Sequence, residues 1–171
     1  MAIEPLSALP AGSDVFIDAN IFVCGLSRQS NECYDFLHRC AREEITGVTS
    51  FDVLSEATHK LMIAEAVATH QIPKPDWKLL RSKPFIVRQL RRYWNQVETI
   101  LNLNFLVLNA EKSTFQHGQA MRELYGLLTT DSLVMAIMEE YGLEFLASND
   151  SDFKSIPTVT LYRPTDLSIH P

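Results

Sequence analysis

Val15-Phe16-Ile17-Asp18-Ala19-Asn20-Ile21-Phe22-Val23 places a single carboxylate between two apolar triplets. An apolar run of this length, bounded by turn signals, reads as a strand buried on both faces, with its regular part at about Val15 to Ile17. Asp18 then lies at the end of that strand. An ionised carboxylate in such a place is costly unless something cationic meets it, and a metal ion is the simplest partner. Two downstream stretches repeat the pattern. Thr129-Thr130-Asp131 opens an apolar helix, and Ser148-Asn149-Asp150-Ser151-Asp152-Phe153 follows another apolar strand.

The chain has 171 residues, 46% of them apolar and 21% charged, which suits one ordinary globular domain with a sizeable core. Its net charge of −6 disfavours a grip on polyanions through the whole surface, so any phosphate contact must be local. Cys24, Cys33 and Cys40 show no C-x-x-C spacing and no matching histidine pair. Neither a zinc knuckle nor a disulfide framework follows, and a reducing, cytoplasmic location fits. No secretory pattern or membrane-crossing apolar run occurs, so no membrane association is expected.

Residues 1–13, rich in Ala, Pro and Ser, read as an extended leader before a single domain over 14–171. Cys33, Phe36, Leu37 and Cys40 fall on one face of a helix from about Ser30 to Arg42. A short strand at Ile45 to Thr49 leads to Ser50, a credible N-cap for a helix to about Thr69 with Val53, Leu54, Ala57, Leu61 and Ala64 as its buried stripe. Glu56 lies two turns into it, with Lys60 four residues on; taken alone this is a surface i, i+4 pair. Phe105 to Leu108 reads as a third buried strand, followed by a helix from Glu111 to Tyr125 with Gly126 as its C-cap. Thr129 or Thr130 caps the next helix, which is apolar around most of its circumference. Strands at Leu143 to Ala147 and Thr158 to Tyr162 complete five. Strands alternating with helices in this way imply a parallel sheet covered on both faces, with ligands at the carboxyl ends of the strands.

Between Gln71 and about residue 100 the composition changes. From Trp77 to Val97 there is no acid, whereas Lys78, Arg81, Lys83, Arg88, Arg91 and Arg92 are basic. Pro84 suits the first turn of a helix whose apolar side holds Ile86, Leu90, Tyr93 or Trp94, and Val97. Such a run is commonly a solvated face, and Trp77, Tyr93 and Trp94 would more often pack than stack on bases. The segment remains a candidate surface for RNA or a partner, through Arg81, Lys83, Arg88, Arg91 and Arg92.

Asp18, Asp131 and Asp150 can share one sheet edge, and Glu56 reaches it if its helix crosses the first strand. Oxygen donors without His or Cys suit Mg²⁺ or Mn²⁺. Separately, Asp150 and Asp152 would pass as turn formers and Asp131 as a helix-start residue. His59 lies one turn beyond Glu56, while His38, His70, His117 and His170 show no pairing, and Cys24 reads as packing.

Phe16-Ile17-Asp18-Ala19-Asn20, Leu54-Ser55-Glu56-Ala57, Thr130-Asp131-Ser132-Leu133 and Ser148-Asn149-Asp150-Ser151-Asp152-Phe153, in this order, resemble the PIN-domain nucleases, including the VapC-type toxins of toxin–antitoxin pairs. The resemblance runs from about Asp14 to Arg163. It implies a Rossmann-like PIN fold with a five-stranded parallel sheet flanked by helices, carrying a basic helical insertion at about 72–100. It further implies an acidic quartet of Asp18, Glu56, Asp131 and Asp150 that binds Mg²⁺ or Mn²⁺, positioned by Asn20, Thr130 and Ser148, with Asp152 as an outer carboxylate. The implied activity is hydrolysis of RNA phosphodiesters to 5′-phosphate and 3′-hydroxyl ends. The implied partners are a second copy of the chain and a small antitoxin that blocks the acidic pocket.

A non-catalytic PIN-like module that binds RNA or protein is the alternative, although degenerate versions usually lose acids and all four are present here. A phosphatase using Asp18 as nucleophile would want an acid two residues on, where Asn20 stands. No G-x-G-x-x-G or P-loop follows any strand.

Overall fold

The fold was obtained as a computed structural model that describes residues 3–167. Met1 and Ala2 of the leader, and residues 168–171 of the domain with His170 among them, lie outside the described residues. Strand β2 (Asp14–Ile17) forms where expected, with Val15, Phe16 and Ile17 wholly buried. The second apolar triplet is different. Ile21, Phe22 and Val23 lie on helix α1 (Ala19–Leu26), because Asp18, in extended conformation, accepts the Ala19 amide at 2.6 Å and turns the chain from strand into helix.

Helix α2 (Asn31–Ala41) buries Cys33, Phe36, Leu37 and Cys40, as their spacing predicts. It approaches α1 closely, since a Cβ at Gly25 would lie 2.8 Å from Leu37. Strand β3 (Thr46–Ser50) runs directly into α3 (Phe51–Ala68), which Ser50 caps by accepting the Val53 amide at 3.3 Å. On α3, Val53, Leu54, Ala57 and Leu61 are buried as expected, but Ala66 takes the place foreseen for Ala64. The change has a cause: the far half of α3 packs on a second, smaller core of Ile72, Leu80, Ile86 and Leu90.

That smaller core is built by the basic segment. It folds as α4 (Trp77–Arg81), α5 (Pro84–Val87) and α6 (Arg92–Asn102), where the sequence pattern predicts one helix from Pro84. The break falls at Leu90-Arg91, because the Glu65 carboxylate of α3 accepts the Arg91 amide at 2.9 Å and the Tyr93 amide at 2.7 Å and so starts α6 afresh.

Strand β4 (Leu106–Leu108) is an edge strand with Leu106 half exposed, so it is not buried on both faces. Helix α7 (Lys112–Tyr125) ends at Gly126, whose φ of +71° supplies the left-handed cap. Helix α8 (Thr129–Glu140) is buried continuously from Ser132 to Met138. Its N-cap is Leu128, without a side-chain bond, rather than either threonine.

Strands β5 (Phe145–Ala147) and β6 (Thr160–Arg163) follow. The sheet has six parallel strands, not five, in the order β1-β6-β5-β2-β3-β4. The sixth comes from the leader: β1 (Ile3–Pro5) pairs with β6, and a helical turn at Leu6–Ala8 buries Leu6 and Leu9. Residues 3–9 are thus part of the sheet and its core, with Pro5 tolerated because β1 is an edge. Among the described residues no helix is long and apolar enough to cross a membrane.

From β2 the chain builds β3 and β4 on one side, then returns to build β5 and β6 on the other. The order reverses between β2 and β5, which are adjacent, with Ile17 opposite Ala147. A crevice outside the carboxyl ends of the strands forms at such a reversal.

Candidate active site

The register that pairs Ile17 with Ala147 sets Asp18 beside Ser148, each one residue beyond its strand. The Asp18 amide donates to Ala147 O at 3.0 Å, and the Ser148 amide to Tyr162 O at 3.1 Å, so both turns are fixed to the sheet. The Ser148 hydroxyl donates to Asp18 Oδ2, and Asn20 Nδ2 donates to the same oxygen. Ser148 Oγ in turn accepts from Asn20 Nδ2 at 3.1 Å and from the Asp150 amide at 3.0 Å. Asn20 Oδ1 accepts the Asn149 amide at 2.9 Å. One network thus joins three of the expected positions, Asn20, Ser148 and Asp150, to Asp18.

Asp18 is only 7% exposed. Burial raises its pKa, against the hydrogen bonds from Ser148 and Ala19 and the nearby Lys60, which lower it, while Glu56 adds to the rise. Asp131, in the first turn of α8, is pushed up to about 6 by burial and by the charges of Asp150, Asp18, Asp152 and Glu56. Five carboxylates therefore share one field. Asp150 Oδ1 accepts the Asp152 amide at 2.9 Å, which shapes the turn after β5. Thr130 lies half-buried beside Asp131, but the hydroxyl that bonds back to the helix is that of the buried Ser132, to Thr129 O at 2.7 Å.

Two residues that sequence reasoning left outside the site belong to its surroundings. Lys60 Nζ lies 2.6 Å from Glu56 Oε1. Burial pulls the Lys60 pKa down, but Glu56, Asp18 and Asp150 outweigh it and raise the value, so the i, i+4 pair faces the acidic edge. Arg163, at the end of β6, donates to both Asn149 O and Asn149 Oδ1 at 2.8 Å and braces the same turn. The signal for Lys60 was its spacing from Glu56; Arg163 carried none beyond its place at a strand end.

Other expectations fall elsewhere. His117 is paired with Glu139 across α7 and α8 at 2.8 Å, and His59 is exposed. Cys24 packs partly buried against the core, and burial pushes the thiols of Cys33 and Cys40 up to about 12, in keeping with inert packing. Arg81, Arg88, Arg91 and Arg92 are exposed and Lys83 half-buried, all on the segment carried by the smaller core. An apolar cavity of about 270 Å³ between α1, α2 and α6, lined by Phe22, Leu37, Ile100 and Phe105, is separate from the acids.

The donor set is all oxygen, crowded with negative charge, and includes a deeply buried carboxylate. It fits a hard divalent cation. Among the described residues, however, no three acids or histidines already stand in metal-holding geometry. Lys60 is the cation that faces them.

A PIN domain profile matches residues 15–159. The chain belongs to the PIN domain family. Solved structures share the PIN fold at low identity. The Rickettsia felis VapBC2 structure, bound to a promoter DNA fragment, matches at 17% identity with a TM-score of 0.58, covering 88% of this chain and 98% of its own. A toxin–antitoxin complex from Klebsiella pneumoniae matches at 19% and 0.55, covering 91% and 99%. Mycobacterium tuberculosis VapC20, a Sarcin-Ricin loop cleaving toxin, matches at 12% and 0.56, covering 84% and 95%. No curated protein matches this PIN domain significantly in sequence.

Proposed function

We propose that this PIN domain is a Mg²⁺- or Mn²⁺-dependent endoribonuclease, the toxin of a toxin–antitoxin pair. The observation that carries the reading is Asp131, whose carboxyl is held up to about 6 by burial and by four neighbouring acids around the reversal point of the sheet. Such an accumulation of like charge is destabilising unless it receives a cation, and perturbed groups of this kind concentrate at functional sites. The toxin label and the RNA substrate draw support from the structural neighbours, which include a toxin–antitoxin complex and a Sarcin-Ricin loop cleaving toxin. A small antitoxin and a second copy of the chain are the partners this reading carries.

Asp18, Glu56, Asp131 and Asp150 would hold the metal. When bound, it supplies an activated water and offsets charge on the leaving oxygen. The chain's own residues prepare that place. Asn20 and Ser148 hold Asp18 Oδ2 while the Ala19 amide holds Oδ1, so the carboxylate has one orientation. The Ser148 hydroxyl fixes the Asp150 amide, and Asp150 in turn fixes the amide of Asp152. Asp131 lies at the free amides of α8, where the helix dipole favours its ionised form once a cation screens its neighbours. No side-chain nucleophile is required.

The Lys60–Glu56 pair favours one second reading, a PIN-like module in which lysine serves as the permanent counter-ion and no cutting occurs. Calorimetric titration of the purified protein with Mn²⁺ separates the two. Saturable binding that D131N and D150N each weaken by tenfold or more supports the nuclease. Absence of saturable binding by the folded wild-type protein leaves the counter-ion module.

A further inference from the structure

The segment from Trp77 to Val97 holds six of the chain's 15 cationic residues and none of its 21 acids. The rest of the protein therefore carries −12 and this segment +6. Among the described residues none of the six forms an ion pair with a carboxylate. Arg91 Nη1 donates to Arg88 O and Leu90 O, and Arg92 faces the field of Glu65; Lys78, Arg81 and Arg88 stand exposed.

Each of the three short helices also leaves one large aromatic ring in solvent. Trp77 is 47% exposed, Phe85 58% and Trp94 46%, whereas Tyr93 packs on the smaller core. The sequence expectation that the tryptophans pack is thus reversed for both. Two of these rings have an arginine one helical turn away, Trp77 with Arg81 and Phe85 with Arg88, whereas Arg91, before Trp94, is the non-helical N-cap of α6. Residues three or four apart share a helix face.

A segment with three exposed rings, six cations and no acid is matched in charge to a polyanion and offers flat faces to unpaired bases. We infer that α4, α5 and the start of α6 form a docking surface for single-stranded RNA, with Trp77, Phe85 and Trp94 as stacking rings and Arg81 and Arg88 as phosphate contacts. The inference rests on the ribonuclease reading and deepens it by naming where the substrate is held. The surface is tied to the acidic edge by α3, on which Glu65 grips the start of α6 nine residues beyond Glu56, about 14 Å along the helix axis.

The chain's only two tryptophans are Trp77 and Trp94, so selectively excited tryptophan emission reports on this segment alone. The test titrates full-length protein with oligouridylate, and separately with an RNA duplex, in chelator so that cleavage plays no part. Oligouridylate is expected to quench tryptophan emission and to bind more tightly than the duplex. F85A, which keeps both reporters, is expected to weaken binding about tenfold. R81Q/R88Q is expected to reduce the slope of log affinity against log salt by about 1.4, or 0.7 for each of two lost contacts. Circular dichroism checks that both variants fold. Binding without quenching, equal affinity for duplex, or unchanged affinity in both variants overturns the inference. Loss of antitoxin binding with RNA affinity intact also overturns it and makes the surface a protein interface. RNA that binds here but stays uncut when Mg²⁺ is restored leaves this inference standing and contradicts the ribonuclease reading; normal cutting at unchanged KM by both variants does the reverse.

Discussion

Lys60 Nζ lies 2.6 Å from Glu56 Oε1, and the ammonium also raises no objection from burial because Glu56, Asp18 and Asp150 together hold its proton on. The acidic edge of this PIN domain thus carries its own counter-ion. Lys60 is nearly half exposed, so the pair itself contributes little to stability. Its consequence lies in competition: a cation held by Glu56 shares that carboxylate with any metal.

K60M is therefore expected to tighten divalent-ion binding, since removing one unit charge near a divalent ion is worth on the order of 1 kcal/mol, about fivefold in affinity. Mn²⁺ titration of K60M beside wild type checks this. A weaker Mn²⁺ affinity in K60M would show that Lys60 assists the site rather than competing with it.

The pKa of Asp131 is raised, so its ionised form is disfavoured in the folded protein. Between the ordinary carboxylate value of 3.8 and about 6 the folded state binds more protons than the unfolded one, and stability falls as pH rises through that window. Asp18 adds to the same slope, its pKa being raised chiefly by burial. In chelator, D131N is expected to raise the melting temperature at pH 7, with the gain shrinking below about pH 4. Thermal melts across pH measure it; a D131N protein less stable than wild type at pH 7 contradicts the charge-crowding account.

Ser148 is buried and its hydroxyl serves Asp18, Asn20 and the Asp150 amide at once. S148A leaves the Asp150 amide without its acceptor and removes one of the two donors on Asp18 Oδ2, at a cost of about 1–3 kcal/mol. The expected result is a lower urea midpoint together with weakened Mn²⁺ binding, because the Asp150 turn loses its anchor and Asp18 loses one of its three holds. S148T, which keeps a hydroxyl, is expected to recover part of both.

Glu65 takes two backbone amides at the start of α6. E65A is expected to loosen the basic segment while leaving the main core intact. Limited trypsin digestion followed by mass spectrometry should then show faster cleavage among Lys78 to Arg92. An unchanged digestion pattern would mean that the smaller core alone holds these helices.

The sheet was legible because Val15-Phe16-Ile17 and the buried face of α2 follow simple periods, and because Ser50 and Gly126 are unambiguous helix signals. The leader was not, since two anchors, Leu6 and Leu9, are hidden among Pro, Ser and Ala. Ile21-Phe22-Val23 is as apolar as a strand, and only the cap made by Asp18 converts it to helix. The break between α5 and α6 depends on Glu65, far away in sequence, which no local pattern reveals. Asp18 and Asp150 were readable from their strand ends, and Asn20 and Ser148 only from the family resemblance, whereas Lys60 looked like any surface pair until α3 was placed against the acids.

The most direct test of the account is cleavage of a structured RNA pool by purified, antitoxin-free protein in Mg²⁺ or Mn²⁺, beside D131N and a chelator control. Cutting that leaves 5′-phosphate and 3′-hydroxyl ends and that both controls abolish is expected, with D131N folded and more heat-stable than wild type at pH 7. Full cutting by D131N, or no cutting by folded wild-type protein loaded with metal, would contradict it.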